Sequence, residues 1–192
     1  LYNTVVPARR FEFSLAPLYS FGSRELTGLG ELAYHWYPGT EAMQSITLGL
    51  GARSFHFAQN ETFDYRRRYT RLMPYLEVEL GREAAGPFRH RLQWRSLWIA
   101  EEQAQFADGN FTGLSTEEQF IHELSYAGEN RRGINPYTFR TALEQQNYTD
   151  ISGDQHYLKL SLEWNQSFTY KEKKNIDIRF FAGGFLLNTK RR

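Results

Sequence analysis

Cysteine is absent from the 192 residues, so no disulfide framework, thiolate metal site or thiol nucleophile is open to this chain. Long apolar runs are missing too: nothing approaches the roughly 18 to 20 consecutive apolar residues of a spanning helix. That excludes a spanning helix among these residues but not a membrane, because a spanning strand needs only about 9 to 11 residues. A dominant charge is lacking as well. Lys and Arg number 23 against 22 Asp and Glu, a formal net charge of +1, so no global field recruits nucleic acid. The opening LYNTVVPARR has no charged head followed by an apolar run and does not read as an export signal. No segment carries a 3.6-residue apolar stripe, and no Gly-x-Ser-x-Gly elbow, P-loop or dinucleotide fingerprint occurs.

What is present is a period of two, carried by a chain rich in aromatics, with 15 Phe, 12 Tyr and 4 Trp. Phe11, Phe13, Leu15, Pro17, Tyr19 and Phe21 alternate with smaller or polar residues. Gly30, Leu32, Tyr34 and Trp36 form a second run, and Ile46, Leu48, Leu50 and Ala52 a third. The fourth, RLMPYLEVELG, sets Leu72, Pro74, Leu76, Val78 and Leu80 against Arg71, Tyr75, Glu77 and Glu79. The fifth sets Leu92, Trp94 and Trp98 against Arg89, Arg91 and Arg95. The sixth has Phe120, His122, Leu124 and Tyr126 with Glu123 opposite, and the seventh Phe139 and Leu143 with Arg140 and Glu144 opposite. In the eighth, Leu158, Leu160, Leu162 and Trp164 face away from Lys159 and Glu163. In the ninth, Ile176 and Ile178 face away from Asp177 and Arg179. The pattern predicts an all-β chain of about nine consecutive strands joined as hairpins. Pro74 predicts a bulge or break in the fourth strand, because proline cannot donate to a ladder.

Which side of these strands is wet decides the class. A soluble antiparallel barrel or sandwich would turn the Leu and Trp rows inward. Three features favour lipid instead. Alternation is sustained for about 9 to 11 residues, where globular strands average about 5 to 6. Tyr34, Trp36, Tyr37, Trp94, Trp98, Trp164 and Phe168 lie near strand ends, as interfacial girdles do. The polar rows carry both signs, so neighbouring strands could pair charges across a lumen wall. FAQNETFDYRRR, EEQAQFADGNFTGLSTE and QQNYTDISGDQ read as long loops. GREAAGP and YKEKKN read as short turns, as does the first hairpin, FGSRELTG, where the alternation predicts a long loop. On this reading Arg71, Tyr75, Glu77, Glu79, Arg89, Arg91, Arg95, Glu123, Arg140, Glu144, Lys159, Glu163, Asp177 and Arg179 line the lumen. Leu72, Leu76, Val78, Leu80, Leu92, Trp94, Trp98, Leu158, Leu160, Leu162, Trp164, Ile176 and Ile178 face lipid.

The stretches SLAPLYSFGSRELTGLGELAYHWYP, ITLGLGARSF, INPYTFRTALEQ and IDIRFFAGGFL together resemble the carboxy-terminal outer-membrane barrel region of Bacteroidetes proteins similar to aminopeptidase N. The resemblance runs in order from Phe11 to Leu187, and PLYSFGS, the NPY of INPYTF and RFFAGGF are its most specific pieces. It implies a bacterial outer-membrane location and a zinc peptidase-like part elsewhere in a longer parent chain. It does not bring peptidase chemistry here. Such a zinc site needs His-Glu-x-x-His on a helix, whereas His122-Glu123 has no second histidine and lies in a strand pattern. His35, His56, His90, His122 and His156 are scattered over separate runs and read as belt or surface residues rather than ligands.

The sequence therefore predicts a partial transmembrane β-barrel, antiparallel and up-and-down, spanning 1–192 as one domain. It carries no catalytic residues and no cofactor. Its partners would be membrane lipid and the remaining strands and peptidase-like domain of the parent chain or partner subunits. Its role would be that of an anchor and conduit. A porin or transporter and a soluble β-barrel binding module are the alternatives. A barrel phospholipase would need a Ser–His pair that no spacing supports. Glu77 and Glu79 resemble a glycosidase pair only superficially, since alternation produces i, i+2 carboxylates routinely. Arg66, Arg67 and Arg68 read as a solvated loop, with phosphate or lipopolysaccharide binding as the sharper alternative.

Overall fold

The computed structural model describes residues 1–4, 9–21, 24–40, 42–60, 62–63, 65–81, 86–150, 153–171 and 174–189. Within them lies a single antiparallel sheet whose nine strands follow one another in sequence order. The strands are β1 (Phe11–Ser20), β2 (Glu25–Trp36), β3 (Met43–Asn60), β4 (Tyr65–Leu80), β5 (Phe88–Ala107), β6 (Asn110–Asn130), β7 (Tyr137–Asp150), β8 (Gly153–Lys171) and β9 (Lys174–Asn188). The expected all-β, up-and-down order is thus present. The sheet is open: β1 and β9 are its edges and do not pair. Part of the β1 edge is covered by the chain itself, because Leu1 and Leu15 exchange backbone hydrogen bonds at 2.7 Å and Tyr2 bridges Ser14 antiparallel.

The register fixes which residues share a face. Leu48, Leu76, Trp94, Leu124, Leu143 and Leu160 stand side by side across β3 to β8. The next row, on the other face, is Thr47, Glu77, Gln93, Ser125, Ala142 and Ser161. Burial runs opposite to hydrophobicity. Thr47 is 8% exposed beside Leu48 at 60%, and Glu123 is 6% exposed beside Leu124 at 47%. Side chains on a concave surface crowd together and those on a convex surface splay, so the polar face is the concave one. Among the described residues the buried apolar side chains are Ala33 and Ala142, whereas Ser45, Thr47, Glu123, Ser125 and Asn130 are buried polar ones. A globular core is therefore not what holds these strands. The ladder and cross-strand pairs do, at about 0.2 to 1 kcal/mol per good pair.

Strand length departs from expectation. The sequence reading places long loops after the third, fifth and seventh runs, but most of those residues are strand. β5 runs to Ala107 and β6 starts at Asn110, joined through Asp108 (φ 51°) and Gly109 (φ 79°). Two successive positive φ values make a type I′ hairpin, and Asp-Gly is the dipeptide that suits it. Likewise Arg66, Arg67 and Arg68 lie inside β4, not in a loop. The longer connections lie at the opposite end, at 37–42, 81–87 and 131–136. The physical reason is that period-two alternation marks a strand only where one face is apolar. Beyond Trp98 both faces of β5 turn polar, through Glu101, Glu102, Gln103 and Gln105, and the signal vanishes while the ladder continues. Residues 22–23, 82–85 and 172–173, within three of the expected turns, lie outside the described residues.

Pro74 breaks the ladder without shifting it. β4 pairs with β5 at Leu72↔Trp98 and again at Tyr75↔Arg95, with no pairs between and the register unchanged. On its other side Pro74 pairs with Leu50. The missing N–H therefore points toward β5, and the expected disturbance is a gap rather than a bulge.

Candidate functional site: the polar face

Every polar residue expected to line a lumen falls on the concave face by register, and every apolar residue expected to meet lipid falls on the convex one. Alternation makes this division. The register then decides which charges meet, and sequence spacing could not supply that.

Glu123 is the centre of the face. Its Oε2 accepts from Arg95 Nη2 of β5 at 2.9 Å and its Oε1 from Arg140 Nη2 of β7 at 2.7 Å. One buried carboxylate thus ties three strands, its charge met by two guanidinium groups. Glu77 accepts from Gln93 Nε2 at 3.0 Å and lies 3.4 Å from Arg91 Nε. Glu79 accepts from Ser45 Oγ at 3.1 Å and lies 3.6 Å from Arg91 Nη2. A carboxylate pair held this way by arginine, amide and hydroxyl is wall structure rather than acid–base machinery. Glu144 accepts from the Tyr157 hydroxyl at 2.7 Å and stands 3.9 Å from Lys159 Nζ. Arg179 Nη2 pairs with Glu163 Oε1 at 2.9 Å. Arg71 and Asp177 lie on the same face but outside these contacts.

Contacts that skip a strand are the ones the sequence hid. The Tyr75 hydroxyl donates to Glu31 Oε1 at 2.9 Å, passing over β3 at Gly49, where a Cβ would lie 2.1 Å from the ring. Other contacts join neighbouring strands: His35 Nδ1 and Thr47 Oγ1, register partners on β2 and β3, are 2.9 Å apart. At the far end Arg67 binds Glu101, the Glu102 carbonyl and Gln103, while Arg68 bonds Ser54 and stands 3.7 Å from Glu25. Arg67 and Arg68 are thus committed to internal partners, so a free basic loop is not what this segment offers.

The convex face carries an aromatic row near one end. His90 and Tyr126 stack with centroids 5.9 Å apart, Tyr126 meets Phe139 at 5.5 Å, and Phe139 meets Trp164 at 6.0 Å. The NPY motif has a structural job beside it. Asn135, at φ 52°, accepts from the Thr169 backbone N–H at 3.1 Å and from Gln166 Nε2 at 3.2 Å. The Pro136 carbonyl accepts from the Ser167 N–H at 3.0 Å. The motif therefore pins the β6–β7 turn to β8.

The fold and face together define an open antiparallel meander sheet with a polar concave wall and an apolar convex one. Comparison with protein-family models, with curated proteins and with solved structures found no match.

Proposed function

We propose that this chain forms most of the wall of an outer-membrane β-barrel, its convex face against lipid and its concave face lining a lumen. Its role on this reading is to anchor, and provide a conduit for, a peptidase-like domain carried elsewhere in a parent chain, as the motif resemblance implies. The carrying observation is the inversion of burial. The chain exposes 13699 Å², against about 9,500 Å² for a compact monomer of its mass. Much of that exposed surface is Leu, Phe and Trp on one face, far more than the few hundred Å² of contiguous apolar patch a soluble monomer tolerates.

Two further observations support the reading. The convex apolar band on β4 runs from Leu72 to Leu80, about 26 Å along the strand and about 20 Å once tilted by roughly 40°. That is close to the apolar band of about 25 Å on outer-membrane barrels. Closure also has the right parity. In an antiparallel meander β1 and β9 point the same way, so they would meet in parallel. A strand in line with Leu1–Asn3, antiparallel to β1, would be antiparallel to β9 as well and bring the count to an even number.

The test is partitioning. The chain should require detergent and run with heat-modifiable mobility, and a detergent-free soluble monomer would refute the reading. A porin-type role is the second reading, favoured by the mixed-charge ladder on the concave face. Ion-selective conductance in a planar bilayer without a peptidase domain would favour it.

A further inference from the structure

On the concave face charges of opposite sign meet at several places, as in Arg95–Glu123–Arg140, Arg91–Glu77 and Arg179–Glu163. Like charges are also direct register partners, at Glu123↔Glu144 and Glu101↔Glu117, but there Glu123, Glu144 and Glu101 each have a basic side chain beside them. One pair has no counter-ion among the described residues. Arg53 of β3 and Arg71 of β4 are direct register partners, near the middle of their strands. Across the next strands they face Leu29 and Ile99, which are apolar. The diagonal carboxylates are committed elsewhere: Glu31 accepts from Tyr75 at 2.9 Å, and Glu101 is held by Arg67 at 3.0 Å and Gln103 at 2.9 Å. Arg71 Nε is buried with no hydrogen-bond partner among the described residues. Beside Arg53 on the same face stands Gly51, over which the Met73 side chain leans, with its Cε 3.3 Å from where a Cβ would lie.

Like charges placed directly opposite destabilise a sheet, and a buried guanidinium N–H left unmade calls for a partner. Arginine's planar fork matches a tetrahedral oxyanion in two-point contact. We infer that Arg53 and Arg71 form a binding site for a phosphate-type oxyanion, bridged between the two guanidinium groups. The site depends on the polar face being wet, which holds whichever medium covers the apolar face, so it does not rest on the membrane reading.

The test uses the full chain folded in a maltoside detergent, which contains no phosphate. Its unfolding midpoint is followed against inorganic phosphate, with chloride adjusted to hold ionic strength constant so that screening is equal throughout. The wild type should gain stability saturably. Arg53→Gln and Arg71→Gln should each start from a higher midpoint in chloride alone, because the repulsion is gone. Each should lose apparent phosphate affinity by about tenfold or more, the scale of a lost charge-assisted hydrogen bond. Lys171→Gln, at the end of β8, removes a distant charge and should bind phosphate like the wild type. ³¹P line broadening on the wild type reports binding directly and does not depend on any variant folding. A parallel titration with a short-chain phosphatidate separates the sources: competition with inorganic phosphate assigns the site to lipid headgroups as well, and its absence assigns it to free phosphate. No saturable response of the wild type, or an unchanged response in both arginine variants, would overturn the proposal.

Discussion

Tyr75 on β4 and Glu31 on β2 are hydrogen-bonded at 2.9 Å although a whole strand lies between them. The contact exists because Gly49 on β3 offers no side chain beneath the ring, and a Cβ there would sit 2.1 Å from Tyr75 Cζ. Sheet curvature, a glycine and a phenol thus act together to draw non-adjacent strands toward one another.

Gly49→Ala should displace the ring and cost about 1.5 to 3 kcal/mol, the scale of a hydrogen bond to a charged acceptor. In a Tyr75→Ala background the same change should cost almost nothing. Urea unfolding of the four proteins of that double-mutant cycle measures the coupling, and additive effects would refute the account.

Glu123→Gln should destabilise by about 2 kcal/mol. That is less than the roughly 3 to 5 for breaking a fully buried pair, because Arg95 and Arg140 are partly solvated. Arg140→Gln alone should cost less, since Arg95 still compensates the carboxylate at 2.9 Å. Unfolding midpoints for the two variants check the order, which the single buried carboxylate dictates.

Leu160→Arg and Ser161→Arg differ by one residue and by face. On the membrane reading the first should cost about 2 to 4 kcal/mol near the bilayer midplane and the second should be tolerated. Folding yield and unfolding in lipid vesicles provide the comparison, and equal costs would count against the assigned facing.

Pro74→Val should add a backbone N–H in the gap between Leu72↔Trp98 and Tyr75↔Arg95. Hydrogen exchange should find that new amide protected. Net stability should change by less than about 0.5 kcal/mol, because the regained bond is offset by a freer unfolded chain. Leu76→Pro, where the ladder is intact on both sides, should instead cost about 1 to 3 kcal/mol, the scale of a ladder acceptor left unmade.

Much of this architecture can be read from alternation alone, and the particular residues say why. Leu158, Leu160, Leu162 and Trp164 against Lys159, Ser161 and Glu163 leave no choice about strand or face, since a pleated strand turns successive side chains to opposite sides. Pro74 foretells a disturbed ladder because its chemistry is local. The strand extensions through Glu101 to Ala107 and from Asn110 to Glu118 escape such a reading, because residues that are polar on both faces carry no periodic signal. The Asp108-Gly109 turn was the available cue to that hairpin.

By itself the sequence determined the apolar-alternating part of each strand and its two chemically opposed faces, because these follow from neighbours one or two residues apart. Only the tertiary structure decided that the polar face is the concave, shielded one, and which charges meet there. Glu123 between Arg95 and Arg140, Tyr75 reaching Glu31, and Arg53 set against Arg71 all depend on register and curvature. Those are fixed by hydrogen bonding between segments far apart in the chain, and no local pattern encodes them.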